Sequence, residues 1–326
     1  MNLPAVWRVR NLLRRRPSAL ILATKQRIER TPTSDSLMGQ QPTASVRPSD
    51  EELDLFGLTH RGHVRRENQD HFLIATVHPQ LVIHGTSLPD PSGLPVRGTR
   101  LATLMVVADG VGGAAAGSEA ARLATEAVTR YVASTLRSYH AAGSGTDEQL
   151  LEALKAAALD AHDAVRSDAT LHPEATGMAT TLTLAIAIWP WAYVVQVGDS
   201  RAYFFTGNEL QQLTRDQTVA QSLVDQGILP RERLASSPFK HMLASAIGAD
   251  EALPEVSRFD INERGCLILL CSDGLNKHVK DDEIADRIRT MQSSEQLATD
   301  LLELALSRGG SDNITIIAAR APVKPR

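Results

Sequence analysis

Residues 180–213 read TTLTLAIAIWPWAYVVQVGDSRAYFFTGNELQQL, and this stretch decides the fold class. Two apolar runs, 180–188 and 192–197, are separated only by Trp189, Pro190 and Trp191. A third run follows at 201–205, and a Gly207-Asn208-Glu209 turn leads to a fourth that ends at Leu213. Connections this short permit only antiparallel pairing, because a parallel crossover needs a dozen or more residues. A doubly wound parallel sheet is thereby disfavoured. Outward from this meander, the pattern predicts strands over 56–62, 71–77 and 101–108 and a buried strand over 266–271. The last strand falls at 313–319. Helical spacing of Ala120, Ala121, Ala124, Ala127, Val128 and Tyr131 marks a helix over 117–136. A second helix begins near Asp147, with Leu150, Leu151, Leu154, Ala158, Ala161 and Val165 on one face. Helices are expected over 281–307, and residues 216–250 read as mixed helix and loop. Hairpin-paired strands with two helix pairs indicate an α+β sandwich.

The chain has 326 residues, enough for one large domain and a tail. With 43% apolar and 22% charged residues, the chain as a whole is not intrinsically disordered. The net charge of −4 argues against a nucleic-acid binder, but it conceals a division. Residues 1–50 carry nine Lys/Arg and three acids, a net of +6, which leaves −10 for the remainder. Residues 1–50 are therefore expected to be a basic, Ser/Thr/Pro-rich disordered tail, with a folded domain over 51–322. Two readings of residues 1–37 stay open: a basic arm that touches an acidic partner or membrane surface, or a translation start at Met38. Cys266 and Cys271 lie five apart on one apolar run, so a strand would turn them to opposite faces as separate reduced thiols. No transmembrane segment is expected, since no run reaches the roughly 18 apolar residues of a span. These features point to a cytoplasmic protein.

One feature recurs along the chain: an apolar strand that ends in an aspartate followed by a small residue. It occurs at Asp109 (VVADG), Asp199 (VQVGDS) and Asp273 (LLCSDG). Asp312 sits in the mirror position, just before the last strand, and Asp70 closes RENQD before another. A single Asp-Gly is ordinarily a turn. Five such carboxylates at one sheet edge would repel each other unless a cation compensated, and hard ions such as Mg²⁺ or Mn²⁺ prefer oxygen donors. Zinc-type spacing is missing: His60, His63 and His71 form no HExxH. Gly110-Val-Gly112-Gly-Ala-Ala115 fits a dinucleotide-binding G-x-G-x-x-A, yet Asp109 would oppose a pyrophosphate and no second parallel strand follows.

Seven segments in order carry a resemblance: Arg65-x-x-Asn68-Gln-Asp70, Val107-Ala-Asp109-Gly110-Val-Gly112-Gly113, Gly177-Met-Ala-Thr-Thr-Leu182, Val197-Gly-Asp199-Ser-Arg201, Leu213-Thr-Arg-Asp216, Cys271-Ser-Asp273-Gly274 and Gly310-Ser-Asp312-Asn313. Over about residues 55–320 the chain resembles the metal-dependent serine/threonine protein phosphatases of the 2C type (the PPM family) in bacterial form. The resemblance implies a four-layer αββα sandwich of two mainly antiparallel sheets flanked by helix pairs. It implies hydrolysis of phosphoserine and phosphothreonine by a bridging hydroxide on two Mn²⁺ or Mg²⁺ ions, with no phosphoenzyme. By the same resemblance, Asp109 bridges the two ions, the Gly110 carbonyl completes one site, and Asp273 and Asp312 complete the other. Asp70 corresponds to an outer-sphere carboxylate, Asp199 with Asp273 to a third, weaker site, and Arg65 to the arginine that grips the substrate phosphate. Asn313 is expected to orient Asp312. The expected partners are phosphoprotein substrates and a cognate Ser/Thr kinase, and the expected state is a monomer.

The chain departs from the family at Val111 and Gln217, where histidines stand in many members, which leaves the general acid unassigned. Residues 79–100 are longer than a simple family hairpin, and about 214–245 correspond to a variable flap. Two other readings stand beside the enzyme: a catalytically silent pseudophosphatase that senses metal or a partner, and a phosphatase of small phosphometabolites or of a sigma-factor antagonist.

Overall fold

The computed structural model describes residues 46–80, 98–112, 114–142 and 146–323. In chain order its strands are β1 (Asp54–His60), β2 (Asp70–Val77), β3 (Ala102–Val111), β4 (Ala179–Thr180), β5 (Leu182–Ile188) and β6 (Trp191–Val197). They continue with β7 (Arg201–Thr206), β8 (Glu209–Gln212), β9 (Glu255–Asp260), β10 (Leu267–Cys271) and β11 (Ile314–Arg320). The helices are α1 (Ala114–Ala142), α2 (Asp147–Leu171), α3 (Val219–Asp225), α4 (Asp273–Asn276), α5 (Asp281–Thr290) and α6 (Ser294–Ser307).

The meander forms as its short connections require. β5 and β6 pair antiparallel across the two-residue loop Trp189-Pro190. β7 and β8 pair across Gly207-Asn208, both at positive φ (56° and 73°), the backbone that a tight hairpin needs and that Gly and Asn adopt most easily. Between β6 and β7 the chain crosses from one sheet to the other. One sheet has the order β1-β11-β10-β7-β8, the other β2-β3-β5-β6-β9 with β4 added along β3. All of their pairings are antiparallel.

The central strands read as nearly continuous apolar runs because both of their faces are covered. Met105, Val107, Ala185 and Val194 of one sheet meet Phe204, Ile268, Leu270 and Ile317 of the other in the centre of the sandwich. The alternate residues Leu104, Val106, Leu184, Ile186 and Val195 turn outward against α1 and α2. Leu267, Leu269, Ile316 and Ala318 turn the opposite way against α4, α5 and α6. This period-2 division places the core in three apolar layers between four layers of structure. α2 begins at a capping box, in which Thr146 Oγ1 accepts from Gln149 N and Gln149 Oε1 accepts from Thr146 N. Thr218 and Ser293 cap α3 and α6 in the same way, each accepting from the backbone three residues on.

Several boundaries move. α1 is longer at both ends than 117–136, and the expected strand 180–188 is interrupted at Thr181. β9 was not anticipated, nor was the single turn α4. Of residues 216–250, α3 and a 3₁₀ turn at Arg231–Arg233 are the helical parts. Cys266 packs at the edge of the inter-sheet layer and Cys271 in the layer under α4–α6, so the two free thiols do lie on opposite faces. Residues 1–37, most of the 1–50 tail and most of the 79–100 insertion lie outside the described residues. Among the described residues no helix is long and apolar enough to cross a membrane.

Candidate metal centre

The five aspartates arrive from both sheets at one end of the sandwich. Asp70 opens β2 and is paired in register with Asp109 near the end of β3. Asp273 follows β10 by two residues and Asp312 precedes β11 by two, and those strands are neighbours in the other sheet. Asp199 lies in the turn that carries the chain between the sheets. Asp70, Asp109 and the turn that carries Asp199 are pinned by hydroxyl groups set among otherwise apolar residues. Asp109 N donates to Thr181 Oγ1 (3.0 Å), while Thr181 N and Thr180 Oγ1 both donate to the Asp109 carbonyl (2.9 Å each). Thr181 therefore leaves the ladder to hold Asp109, which is why the expected strand breaks there. Thr181 Oγ1 also shares a hydrogen bond with Ser200 Oγ (2.8 Å), and Thr183 Oγ1 donates to the Ser200 carbonyl (3.0 Å). The β6–β7 turn is thus tied to the Asp109 strand.

Asp70 is the most enclosed of the five, 3% exposed. Its Oδ2 accepts from Ser272 Oγ and Thr315 Oγ1, each at 2.7 Å, so the residue that follows β10 and a residue of β11 hold a carboxylate of β2. Its Oδ1 is buried without a hydrogen-bond partner among the described residues, as is Asp273 Oδ1. Burial pushes Asp70 up to about 6, against the pull of those two hydroxyls. Burial, then the neighbouring charges of Asp70, Asp273, Asp199 and Asp312, holds Asp109 well above the carboxylate range. Burial and Asp273 push Asp199 up to about 8. For Asp312 burial acts upward too, but bonds from Arg65 and Lys277 hold it below its ordinary value. These are carboxylates crowded into low dielectric with too little compensating charge.

These residues fit a hard divalent cation. The side-chain donors are all oxygens, two of those oxygens are orphaned, and an unpaired buried carboxylate oxygen is costly unless something electropositive meets it. Among the described residues no three acidic, histidine or cysteine groups already stand as a closed cage. Side-chain cations partly take that place. Lys277 Nζ lies 2.6 Å from both Asp273 Oδ2 and Asp312 Oδ2. Arg65 meets Asp312 with Nε at 2.6 Å and Nη2 at 2.8 Å, a two-pronged contact from a half-exposed side chain on the rim.

The Gly110 backbone lies beside the start of α1: a β-carbon there would come 2.2 Å from the Gly117 carbonyl, so only glycine allows helix and strand to approach this closely. Asn313 holds the Asp312 side chain through its backbone N–H, which donates to Asp312 Oδ1 (3.0 Å), while its own side chain is engaged elsewhere. Its Oδ1 accepts from Gln69 N, and its Nδ2 donates to the carbonyls of Arg61 and Glu67, each at 2.9 Å. It clamps the 61–69 turn that presents Arg65. Gln217 is spent on structure, accepting from Gly198 N (2.9 Å) and donating to the Leu253 carbonyl (2.9 Å), while Val111 is exposed. Sequence reasoning missed Lys277 and the hydroxyls of Thr181, Ser272 and Thr315. A polar residue at a both-faces-buried strand position is the signal that finds the two threonines, and the four-residue spacing from Asp273 is the one that finds Lys277.

A double antiparallel sandwich flanked by helices, with a carboxylate centre where its two sheets meet, defines an αββα protein built for hard cations. A model of the family described as protein phosphatase 2C matches residues 94–306, and the chain belongs to that family. It is 34% identical over 218 residues to the serine/threonine protein phosphatase PstP of Mycobacterium tuberculosis, an alignment that covers 67% of this chain and 40% of that protein. The chain thus spans less than half the length of that curated relative. It is 28% identical over 260 residues to the serine/threonine phosphatase stp of Listeria welshimeri, covering 79% of this chain and 92% of the relative. A crystal structure of the PstP catalytic domain in complex with two manganese ions shares the fold, with a TM-score of 0.63 at 28% identity over 83% of this chain and 99% of that one.

Proposed function

We propose that the chain is a Mn²⁺- or Mg²⁺-dependent phosphoprotein phosphatase that hydrolyses phosphoserine and phosphothreonine. The observation that carries this reading is the convergence of Asp70, Asp109, Asp199, Asp273 and Asp312 on one end of a 2C-type sandwich, with two buried carboxylate oxygens left orphaned. The manganese found in the related catalytic domain is of the ion class those oxygens suit. Asp109 and the Gly110 carbonyl, with Asp273 and Asp312, would hold two ions, and Asp199 with Asp273 a third, weaker one. Asp70, fastened through Oδ2 by Ser272 and Thr315, keeps Oδ1 free to orient water beside them. Such ions, when bound, supply an activated water for in-line attack and neutralise phosphoryl charge, so the chain itself needs no phosphoenzyme. Arg65 has a planar fork on the rim, where it can exchange its contact with Asp312 for two phosphoryl oxygens.

All five carboxylates being present favours turnover over a silent binding module. The partners are then proteins phosphorylated by a Ser/Thr kinase, met by a monomer in a reducing cytoplasm that suits two free thiols. Asp109→Asn and Asp273→Asn should each abolish hydrolysis of p-nitrophenyl phosphate and of phosphopeptides while the circular dichroism spectrum is unchanged, and EDTA should do the same to the unaltered chain. Full activity in either variant refutes the assignment.

A further inference from the structure

Lys277 is the one strong feature of this centre that the proposed reaction leaves without a task. Its backbone N–H closes α4 on the Asp273 carbonyl (2.9 Å), which places residues 273 and 277 on the same side of the turn. Its ammonium then sits between two carboxylates from different segments, 2.6 Å from Asp273 Oδ2 and 2.6 Å from Asp312 Oδ2, with its side chain only 20% exposed. Two anionic oxygens converging on one cation at that distance describe a cation site, here filled by the chain's own ammonium. Asp273 Oδ1, on the same carboxylate, still lacks a partner among the described residues, so one monovalent charge does not satisfy the site.

We propose that Lys277 is a built-in competitor for the divalent cation: it occupies the position between Asp273 and Asp312 and must withdraw before an ion binds there, so it sets the metal affinity of the centre. The inference rests on the metal-dependent reading above. A divalent ion approaches carboxylate oxygens to about 2.0–2.2 Å and cannot share them with an ammonium already bonded to the same atoms. Displacing the ammonium costs its two charge-assisted bonds but restores its hydration. The net penalty on metal binding is therefore the worth of about one such bond, roughly tenfold in affinity. In return, the ion-free protein is spared an unpaired Asp273 carboxylate beside an Asp312 that Arg65 alone would hold.

The test is Mn²⁺ titration by calorimetry on the full chain, with melting curves in EDTA and in Mn²⁺, for the unaltered protein, Lys277→Gln, Lys277→Met and Lys277→Arg. Loss of the ammonium should tighten Mn²⁺ binding about tenfold. It should also lower the melting temperature in EDTA, so that the rise on adding Mn²⁺ grows. Lys277→Arg, which keeps the charge, should stay near the unaltered protein. A Gln or Met variant that folds only with Mn²⁺ supports the proposal equally. Mn²⁺ affinity that is unchanged or weaker in both neutral variants overturns it, as does failure of both to fold even with Mn²⁺. If neither the unaltered chain nor the neutral variants bind Mn²⁺, the metal-dependent reading itself falls and takes this proposal with it.

Discussion

Asn313→Ala isolates the clamp that holds the rim of the centre. The side chain is buried (4% exposed) and makes three hydrogen bonds of 2.9 Å, all to the backbone of the 61–69 turn. A net intramolecular hydrogen bond is worth about 0.5–1.5 kcal/mol, so the range for three is about 1.5–4.5 kcal/mol. Arg61 and Glu67 are exposed, and water can reach their carbonyls once Asn313 is gone, which places the expected loss at about 2–3 kcal/mol. For a domain of this size that is a fall in melting temperature of roughly 4–12 °C. The same turn positions Arg65, whose proposed grip on phosphate acts in the ground state and the transition state alike. Loosening it should raise KM several-fold and change kcat little. The assays are differential scanning calorimetry in excess Mn²⁺ and steady-state hydrolysis of a phosphothreonine peptide. Asn313→Asp is the control: it keeps the acceptor for Gln69 N but turns a carboxylate toward two carbonyls, so it should be at least as destabilising as alanine at pH 7. A melting temperature unchanged within about 1 °C, or a collapse of kcat at constant KM, refutes the clamp.

Three further perturbations test the surroundings of the centre. Because burial raises Asp70 to about 6 and Asp199 to about 8, the folded state holds those protons more tightly than the unfolded chain. Their contribution to stability is present below about pH 4 and is lost as pH rises through 6 to 8. In EDTA the melting temperature of the unaltered protein should therefore fall more steeply from pH 5.5 to 8.5 than that of Asp199→Asn, and equal slopes would count against the burial argument. Thr315→Val removes one of the two hydroxyl donors to a buried carboxylate and should cost about 1.5–3 kcal/mol by urea denaturation at pH 7. The loss should be smaller at pH 5, where Asp70 carries its proton. Gly274→Ala would set a β-carbon 1.9 Å from the Asn313 carbonyl oxygen, backbone that cannot step aside, so a loss of at least about 3 kcal/mol is expected in the same assay.

The sandwich was legible in the sequence where local constraint was strong. Loops of two residues leave no alternative to antiparallel neighbours, and strands covered on both faces read as nearly continuous apolar runs, as 102–107, 182–188 and 267–271 do. β9 escaped because it obeys neither rule. EVSRFD is an edge strand, mostly exposed, with only Val256 and Phe259 packed on apolar neighbours, and what makes it a strand is the free edge of β6 beside it. The break at Thr181 was equally hidden, since it exists to serve Asp109, 72 positions away. The aspartates stood out because Asp109, Asp199 and Asp273 end apolar runs while Asp70 and Asp312 stand just before such runs. Their supporting groups did not: Ser272 and Thr315 acquire meaning only once two sheets are laid together, and Lys277 only once the segments that carry Asp273 and Asp312 are neighbours.

That asymmetry follows from how the centre is assembled. Asp70 and Asp109 belong to one sheet, Asp273 and Asp312 to the loops of the other, and Asp199 to the crossing between them. The charges that repel across this junction are set against the inter-sheet apolar layer that draws the sheets together. Three devices oppose the repulsion in the ion-free protein. Burial raises the proton affinity of Asp70, Asp109 and Asp199, the hydroxyls of Ser272 and Thr315 reach across to Asp70, and Lys277 and Arg65 settle on Asp312. Each offsets part of the same crowding of negative charge, and on the proposed reading each would be relieved or released by a bound cation. A centre built this way couples cation binding to the cohesion of the whole sandwich, because the carboxylates that would bind the ion are the ones that otherwise push its two halves apart.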